Sequence, residues 1–128
     1  MFRRLLMLGS VNAFLAVALG AFGAHILKEQ ISADMMAVYE TGIQYHMMHA
    51  LGLLIIAFAA ERLGNRRLVS AAGWLIFIGI ILFSFSLYAL SITGNKMLGA
   101  ITPFGGVAFL AGWACIFVAA FKMKRSSR

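Results

Sequence analysis

Four long apolar runs, separated by short polar segments, constrain the possible fold of this chain more than any other feature. They cover about residues 5–24, 42–60, 68–92 and 103–121 of the 128-residue sequence. About 20 apolar residues in a helix cross the roughly 30 Å hydrocarbon core of a bilayer. Because 62% of the residues are hydrophobic and only 12% are charged, a soluble domain of this size could not bury the apolar surface. We therefore predict one domain, an all-α integral membrane four-helix bundle.

The first run follows two arginines, as the apolar region of a signal peptide also would. It is longer than the 7–15 apolar residues typical of such a region, and no polar segment precedes a cleavage site. We expect it to remain as the first span. Small residues recur along it, among them Gly20, Gly23 and Ala24, and such residues let a neighbouring helix approach closely.

The second run is preceded by a helix that begins outside it. Ser32 is a suitable N-cap, Asp34 suits the positive end of the helix dipole, and Gly64 is a suitable stop. A helix between these signals has about 31 residues and a length of about 46 Å, too long for one crossing. We expect its first part to project into or bend along the interface, or a break at Gly42.

The third run ends at a turn signal, and the fourth begins at a proline. Thr102 is predicted to be the N-cap of the last helix, with Pro103 at its first helical position. Gly105 and Gly106 then supply a surface for close helix packing.

Lysine and arginine residues are distributed unequally between the two ends of the predicted bundle. Nine are expected on one side, and only Lys28 and Lys96 on the other. By the positive-inside rule, both termini are predicted to be cytoplasmic. The net charge of +7 does not indicate nucleic-acid binding, because these residues flank apolar runs and form no basic face with interleaved aromatics. The nine are Arg3, Arg4, Arg62, Arg66, Arg67, Lys122, Lys124, Arg125 and Arg128.

A polar cluster opens the second span and is the predicted candidate site. His46 and His49 are three residues apart, a spacing that can bind a metal, and His25 could add a third imidazole to a zinc or haem site. The favoured alternative is structural: the histidines bond to water, lipid headgroups or carbonyls near the outer interface. The full candidate set is His25, Tyr39, Glu40, Gln44, Tyr45, His46 and His49.

Asn12 lies near the middle of the first span, where an amide without a partner would be costly. It could belong to a transport pathway, but we favour an interhelical hydrogen bond to Ser84 or Ser86. No span carries a carboxylate, lysine or arginine at depth, which argues against a proton-coupled pump. No nucleotide-binding or hydrolase motif is present. We therefore predict no catalytic residue and lean towards a protein that is not an enzyme.

Several segments closely resemble the domain of unknown function 423 family, a group of small four-span membrane proteins. They read GAFGAHILK from Gly20, YETGIQYHMMHAL from Tyr39, LFSFSLYALSIT from Leu82 and ITPFGG from Ile101, followed by Gly112 and Trp113. The resemblance extends over essentially the whole chain. It implies a multi-pass protein, in bacteria of the plasma (inner) membrane, and no particular activity.

The family pattern also identifies individual residues. Met47, Met48 and His49 depart from it, since small or aliphatic residues are typical there, and Phe85 stands where glycine is typical. The resemblance therefore supports His25 and His46, and not His49, as the stronger pair of ligands. The pattern falls on Gly23, Ala24, His25, Tyr39, Gln44, Tyr45, His46, Ser84, Ser86, Leu87, Tyr88, Thr102, Pro103, Gly105 and Gly106.

Three functions are compatible with these features. We favour a non-enzymatic protein that binds a membrane lipid or partner through the small-residue faces of spans one and four. The second is a small-solute or ion carrier that works as a homo-oligomer, since four spans leave little room for an aqueous path. The third is a site for a metal, haem or quinone built from His25, His46, Glu40 and Gln44. The sequence identifies no cofactor and no small-molecule ligand.

Overall fold

The structure, a computed structural model, describes residues 1–124, and within this range it is almost entirely helical and contains no strand. A π-helical segment, Ile80–Phe85, joins α3 to α4, so that the two form one rod, Arg66–Thr93. Four helical stretches are long and apolar enough to cross a membrane, which confirms the predicted all-α four-span bundle. The helices are α1 (Phe2–His25), α2 (Ala33–Leu63), α3 (Arg66–Gly79), α4 (Ser86–Thr93) and α5 (Thr102–Phe121).

The limits of α2 follow the local signals in the sequence. The Oγ of Ser32 accepts a hydrogen bond from the backbone N–H of Met35 at 3.2 Å. Gly64 ends the helix in the left-handed conformation with φ of 71°, which glycine adopts without steric cost. The 31 residues between them form one continuous helix, so the alternative of a break at Gly42 is wrong.

The start of α5 differs from the sequence prediction. Thr102 is the first helical residue rather than the N-cap, and Ile101 before it already has helical dihedral angles. The reason is that a 3₁₀ turn, Lys96–Ala100, leads directly into α5. The Thr102 hydroxyl instead lies 2.6 Å from the Oγ of Ser86, so it joins two helices and caps neither.

Two helix pairs, α1 with α2 and α3 with α5, make the most extensive contacts, and α2 also packs against α3 and α4. Leu53 of α2 and Ile76 of α3 are completely buried between them. Large apolar side chains also cover the outside, such as Phe14, Phe58 and Leu110, each more than two-thirds exposed. Apolar residues on all sides of a helix bundle are typical of a protein surrounded by lipid.

The two ends of the bundle differ in charge. We call the end that carries the first turn of α1, the α2–α3 turn and the last turn of α5 the basic end. It holds seven of the nine lysines and arginines predicted on one side. The other two, Arg125 and Arg128, lie outside the described residues.

Candidate functional site

A chain of buried polar side chains crosses the bundle at the level of Asn12. The Nε2 of His46 lies 2.9 Å from the Oδ1 of Asn12, and the Nδ1 of His46 lies 2.8 Å from the hydroxyl of Tyr88. His46 is fully buried, and Asn12 and Tyr88 are nearly so. The network therefore links α1, α2 and α4 through one imidazole.

The partners determine the direction of each hydrogen bond. The Nδ2 of Asn12 donates to the carbonyl oxygen of Leu8 at 2.8 Å, so the Oδ1 must be the acceptor for His46. The Nε2–H of His46 then donates to Asn12, and its Nδ1 accepts from the Tyr88 hydroxyl. Every polar group of the three side chains has a partner, and the pattern is that of a neutral imidazole.

Tyr88 reaches His46 because α2 has a glycine where the ring passes. A Cβ on Gly42 would lie 2.7 Å from the Cε1 of Tyr88 and 3.2 Å from the carbonyl oxygen of Ser84. Since real side chains do not approach so closely, Gly42 lets α4 and the π-helical segment lie directly against α2. The glycine sets the distance between helices that the network needs.

His49 makes a second, separate pair of hydrogen bonds. Its Nδ1 lies 2.8 Å from the carbonyl oxygen of Tyr45, and the indole Nε1–H of Trp113 donates to its Nε2 at 3.0 Å. Its ring stacks on Phe109 with 3.6 Å between the ring centroids. Both ring nitrogens of His49 thus have hydrogen-bond partners within the protein, and the bond from Trp113 links α2 to α5.

Tyr39 makes a third contact between α1 and α2. Its hydroxyl donates to the carbonyl oxygen of Leu19 at 2.5 Å. Gly23 of α1 has no side chain where the Tyr39 ring packs, and a Cβ there would overlap the ring. Gly20 in turn faces Ile43. Gly23 is therefore covered by α2 and Gly20 is partly covered, although we expected a lipid or partner on this face; Ala24 is exposed.

The remaining members of the predicted polar cluster lie apart from these contacts. His25, Glu40 and Gln44 are exposed, and the Nδ1 of His25 lies 2.9 Å from the carbonyl oxygen of Ala21. His25 follows Asn12 by 13 residues in α1, so it lies about 20 Å along the axis from the level of His46. The structure does not bring His25 and His46 together.

No group of three or more histidine, cysteine or carboxylate side chains within residues 1–124 has the arrangement of a metal site. Both ring nitrogens of His46 and of His49 are also engaged with protein atoms. A metal ion could bind either imidazole only if one of these hydrogen bonds broke.

The two serines of the third span have other environments than we expected. Ser86 donates to the carbonyl oxygen of Phe83 at 2.8 Å and contacts Thr102. The hydroxyl of Ser84 is buried and has no hydrogen-bond partner in the described part of the chain. Neither serine bonds to Asn12, whose partner is His46.

An apolar groove opens sideways between α2, the π-helical segment and α5. Its volume is about 480 Å³. We call it the lateral groove; its walls are Tyr45, Met48, His49, Phe83, Pro103, Gly106, Val107, Phe109, Leu110 and Trp113.

Comparison with known proteins identifies the family. A family model described as "Protein of unknown function (DUF423)" matches residues 19–106. The chain belongs to the DUF423 family. The UPF0382 membrane protein YwdK of Bacillus subtilis is 56% identical over 117 residues, which cover 91% of this chain and 95% of that protein. A UPF0382 membrane protein of Staphylococcus epidermidis is 45% identical, with 91% and 94% covered. No solved structure matches the chain.

Membership of DUF423 confirms the resemblance that the motifs indicated and makes the chain a membrane protein by descent. The matched residues include His46 and Tyr88, whereas Asn12 and Trp113 lie outside them. The names of the relatives specify neither a reaction nor a ligand. A function for this DUF423 member must therefore be argued from its own geometry.

The sequence prediction missed the partner of Asn12 and the contact of Trp113 with His49. One signal could have found the first. The pairs Asn12–His46 and Leu19–Tyr39 are both symmetric about residue 29, in the connection between α1 and α2. Two antiparallel helices joined by a short connection keep this symmetry, so residues at the same depth can be paired by counting from the turn.

Proposed function

We propose that this DUF423 protein is a non-enzymatic protein of the bacterial plasma membrane that binds a membrane lipid, with a hydrocarbon chain in the lateral groove. The observation that carries the proposal is the groove itself. It is concave, almost wholly apolar and open towards the side of the bundle, where the surroundings are acyl chains.

The histidine and tryptophan in the groove do not make it a polar site. The Nε1–H of Trp113 is donated to His49, and the other nitrogen of His49 is bonded to a backbone carbonyl. The groove therefore presents the flat faces of these rings and keeps their polar atoms occupied. Such a surface favours a hydrocarbon over a hydrated solute, because a solute would lose water without gaining partners.

The size of the groove also suits a lipid chain. Its volume of about 480 Å³ lies within the roughly 300–1,000 Å³ of small-molecule sites. Gly106 contributes to its width: the nearest atom to a Cβ at this position is the Cδ2 of Phe83, 4.0 Å away. In span four Gly106 is thus open, whereas Gly105 and Gly112 are covered by the π-helical segment and by α3.

The polar groups at depth argue against the carrier alternative. Asn12, His46 and Tyr88 are hydrogen-bonded to one another and are buried. A solute pathway needs polar groups that exchange their partners with the solute. In this bundle the network holds three helices together instead.

The test is to fill the groove. Gly106→Phe places a ring in the lateral groove without a backbone clash, and Ala114→Phe adds the same ring at an exposed position of α5 outside the groove. Each protein is purified in mild detergent, washed extensively, and analysed by native mass spectrometry for retained lipid. We expect the wild type and Ala114→Phe to retain equal amounts of lipid, and Gly106→Phe to retain about one lipid per chain fewer.

Equal retention by Gly106→Phe and the wild type would contradict lipid binding in the groove. A wild type that keeps no lipid after washing would contradict it as well. Helical content measured by circular dichroism ensures that the variants are compared as folded proteins.

A further inference from the structure

We propose that a second cavity, at the basic end between α1 and α3, binds the phosphate of an acidic phospholipid. Its volume is about 680 Å³, and three arginines line it: Arg4 from α1 and Arg66 and Arg67 from α3. We call it the basic cavity. Pro103 of the lateral groove is at the start of α5, whereas the basic end carries the last turn of α5. The basic cavity shares no residue with the lateral groove, so this inference does not depend on the proposed function.

No carboxylate among residues 1–124 lines the basic cavity. Glu61 is the one acidic residue at the basic end, since the other three, Glu29, Asp34 and Glu40, precede the second span. Glu61 does not line the cavity. Three guanidinium groups without a carboxylate among them repel one another and attract an anion.

The backbone adds to this positive potential. Arg66 and Arg67 are the first two residues of α3, Arg4 is in the first turn of α1, and neither first turn contains an acidic residue. The start of a helix is the positive end of its dipole, where a cation is unfavourable and an anion is stabilised. Two helix starts with arginines on one cavity are thus an arrangement that a bound anion would stabilise.

The other walls indicate a lipid as the source of the phosphate. Leu5 and Leu8 of α1 and Trp74 of α3 line the cavity beyond the arginines, and Trp74 is half-exposed. A free phosphate ion would gain nothing from these side chains. A phospholipid would place its phosphate among the guanidinium groups, which match it in geometry and charge, and its first methylenes on the apolar wall.

The packing of α1 on α3 closes the cavity at its deeper side. A Cβ on Gly73 would overlap the Cδ2 of Leu5, so the Leu5 side chain of α1 packs directly on Gly73 of α3. Ser70 lies between the arginines and this contact and offers a hydroxyl to the phosphate or ester oxygens. The cavity is therefore polar at the membrane surface and apolar below it, as a phospholipid is.

The experiment compares two variants with the same change in charge. Arg4→Gln/Arg66→Gln/Arg67→Gln removes the three arginines of the basic cavity. Arg62→Gln/Lys122→Gln/Lys124→Gln removes three cations at the same end that do not line it. Binding of phosphatidylglycerol and of phosphatidylcholine to the full chain is measured in mild detergent by native mass spectrometry, with inorganic phosphate as a competitor.

We expect the wild type to bind phosphatidylglycerol in preference to phosphatidylcholine. The cavity triple variant should bind phosphatidylglycerol at least about tenfold more weakly, because it loses the guanidinium groups that would contact the phosphate. The control triple variant should lose less than about threefold.

Three outcomes would overturn the proposal. Equal losses in the two triple variants would mean attraction to the basic end as a whole. Displacement of the lipid by millimolar inorganic phosphate would make free phosphate the ligand. Equal binding of the two lipids would mean no recognition of charge. Because all three arginines are exposed, their substitution should leave the fold intact, and a matching circular dichroism spectrum is the criterion for including a variant.

Discussion

His46 donates its Nε2–H to the Oδ1 of Asn12 across the first two helices, at 2.9 Å and completely out of contact with solvent. Water is absent from the hydrocarbon region, so each group left without a partner costs more there than at a surface. The same imidazole accepts from Tyr88, so α1, α2 and α4 are held in one register. These two hydrogen bonds connect polar residues that the sequence singles out to the arrangement of the helices.

The Asn12–His46 bond should be measurable as a coupling energy. We expect Asn12→Ala and His46→Ala each to lower the free energy of unfolding, and the double variant to lose less than their sum, with a coupling of about 0.6–1.7 kcal/mol. The measurement is unfolding by increasing mole fractions of denaturing detergent.

The matched control is a second cycle between Asn12→Ala and Ser86→Ala. Ser86 is a partner that the sequence suggested, but it bonds to Phe83 and Thr102 instead. Its effect should therefore add to that of Asn12 within about 0.5 kcal/mol. Coupling in this cycle and none with His46 would mean that the helices are rotated differently.

Two glycine-to-alanine substitutions should have opposite effects. Gly42→Ala places a Cβ 2.7 Å from the Tyr88 ring and should cost about 1–3 kcal/mol of stability, as overpacking does. Gly106→Ala meets no atom closer than 4.0 Å and should be neutral or stabilising by up to about 1 kcal/mol, because alanine is the better helix former. The same detergent titration compares both, and equal effects would contradict the close contact at Gly42.

The histidines should differ in their importance. His46→Ala removes a buried ring and leaves the Oδ1 of Asn12 and the hydroxyl of Tyr88 without their partner, which we expect to cost roughly 2–4 kcal/mol. His25→Ala, at an exposed helix end, should change stability by less than about 0.5 kcal/mol.

Metal content and an absorption spectrum of the purified protein test the same two residues as ligands. His25 lies about 20 Å along the helix axis from the level of His46, so no single metal ion should have both residues as ligands. A stoichiometric metal or a chromophore that either substitution abolishes would show that the helices are arranged differently when this group is bound.

The four spans were predictable because the thickness of the bilayer sets the length of each span, whatever helices lie next to it. Run length and polarity set the number of spans, and Ser32 and Gly64 mark the limits of α2 whatever lies next to it. Thr102 shows where local reasoning ends: its hydroxyl bonds to Ser86, which is 16 residues away in the chain. The π-helical segment had no signal in the sequence that we could identify.

The site was harder to predict because a polar partner depends on how neighbouring helices are rotated. The sequence singled out Asn12, His46 and Tyr88, and all three belong to one network. It did not connect them, since periodicity within a helix says nothing about the facing helix. Phe109, which stacks on His49, appeared only as a member of an apolar run, and Trp113, which bonds to His49, only in the family resemblance.

The orientation of the bundle in the membrane is the last prediction. The basic end should face the cytoplasm, because lysine and arginine residues are retained on that side during insertion. In a Cys115→Ser background, which removes the single cysteine, a cysteine is introduced at Met97 or at Arg62. Met97 lies beyond α4 at the opposite end and is 79% exposed, whereas Arg62 is in the last turn of α2.

A membrane-impermeant maleimide should label Met97→Cys in intact cells and Arg62→Cys only after permeabilisation. Both positions are exposed, so permeabilised cells serve as the control for reactivity. The reverse pattern would place the arginines of the basic cavity at the outer surface. That cavity would then meet the lipids of the outer leaflet, and the acidic phospholipid proposed for it would have to come from there.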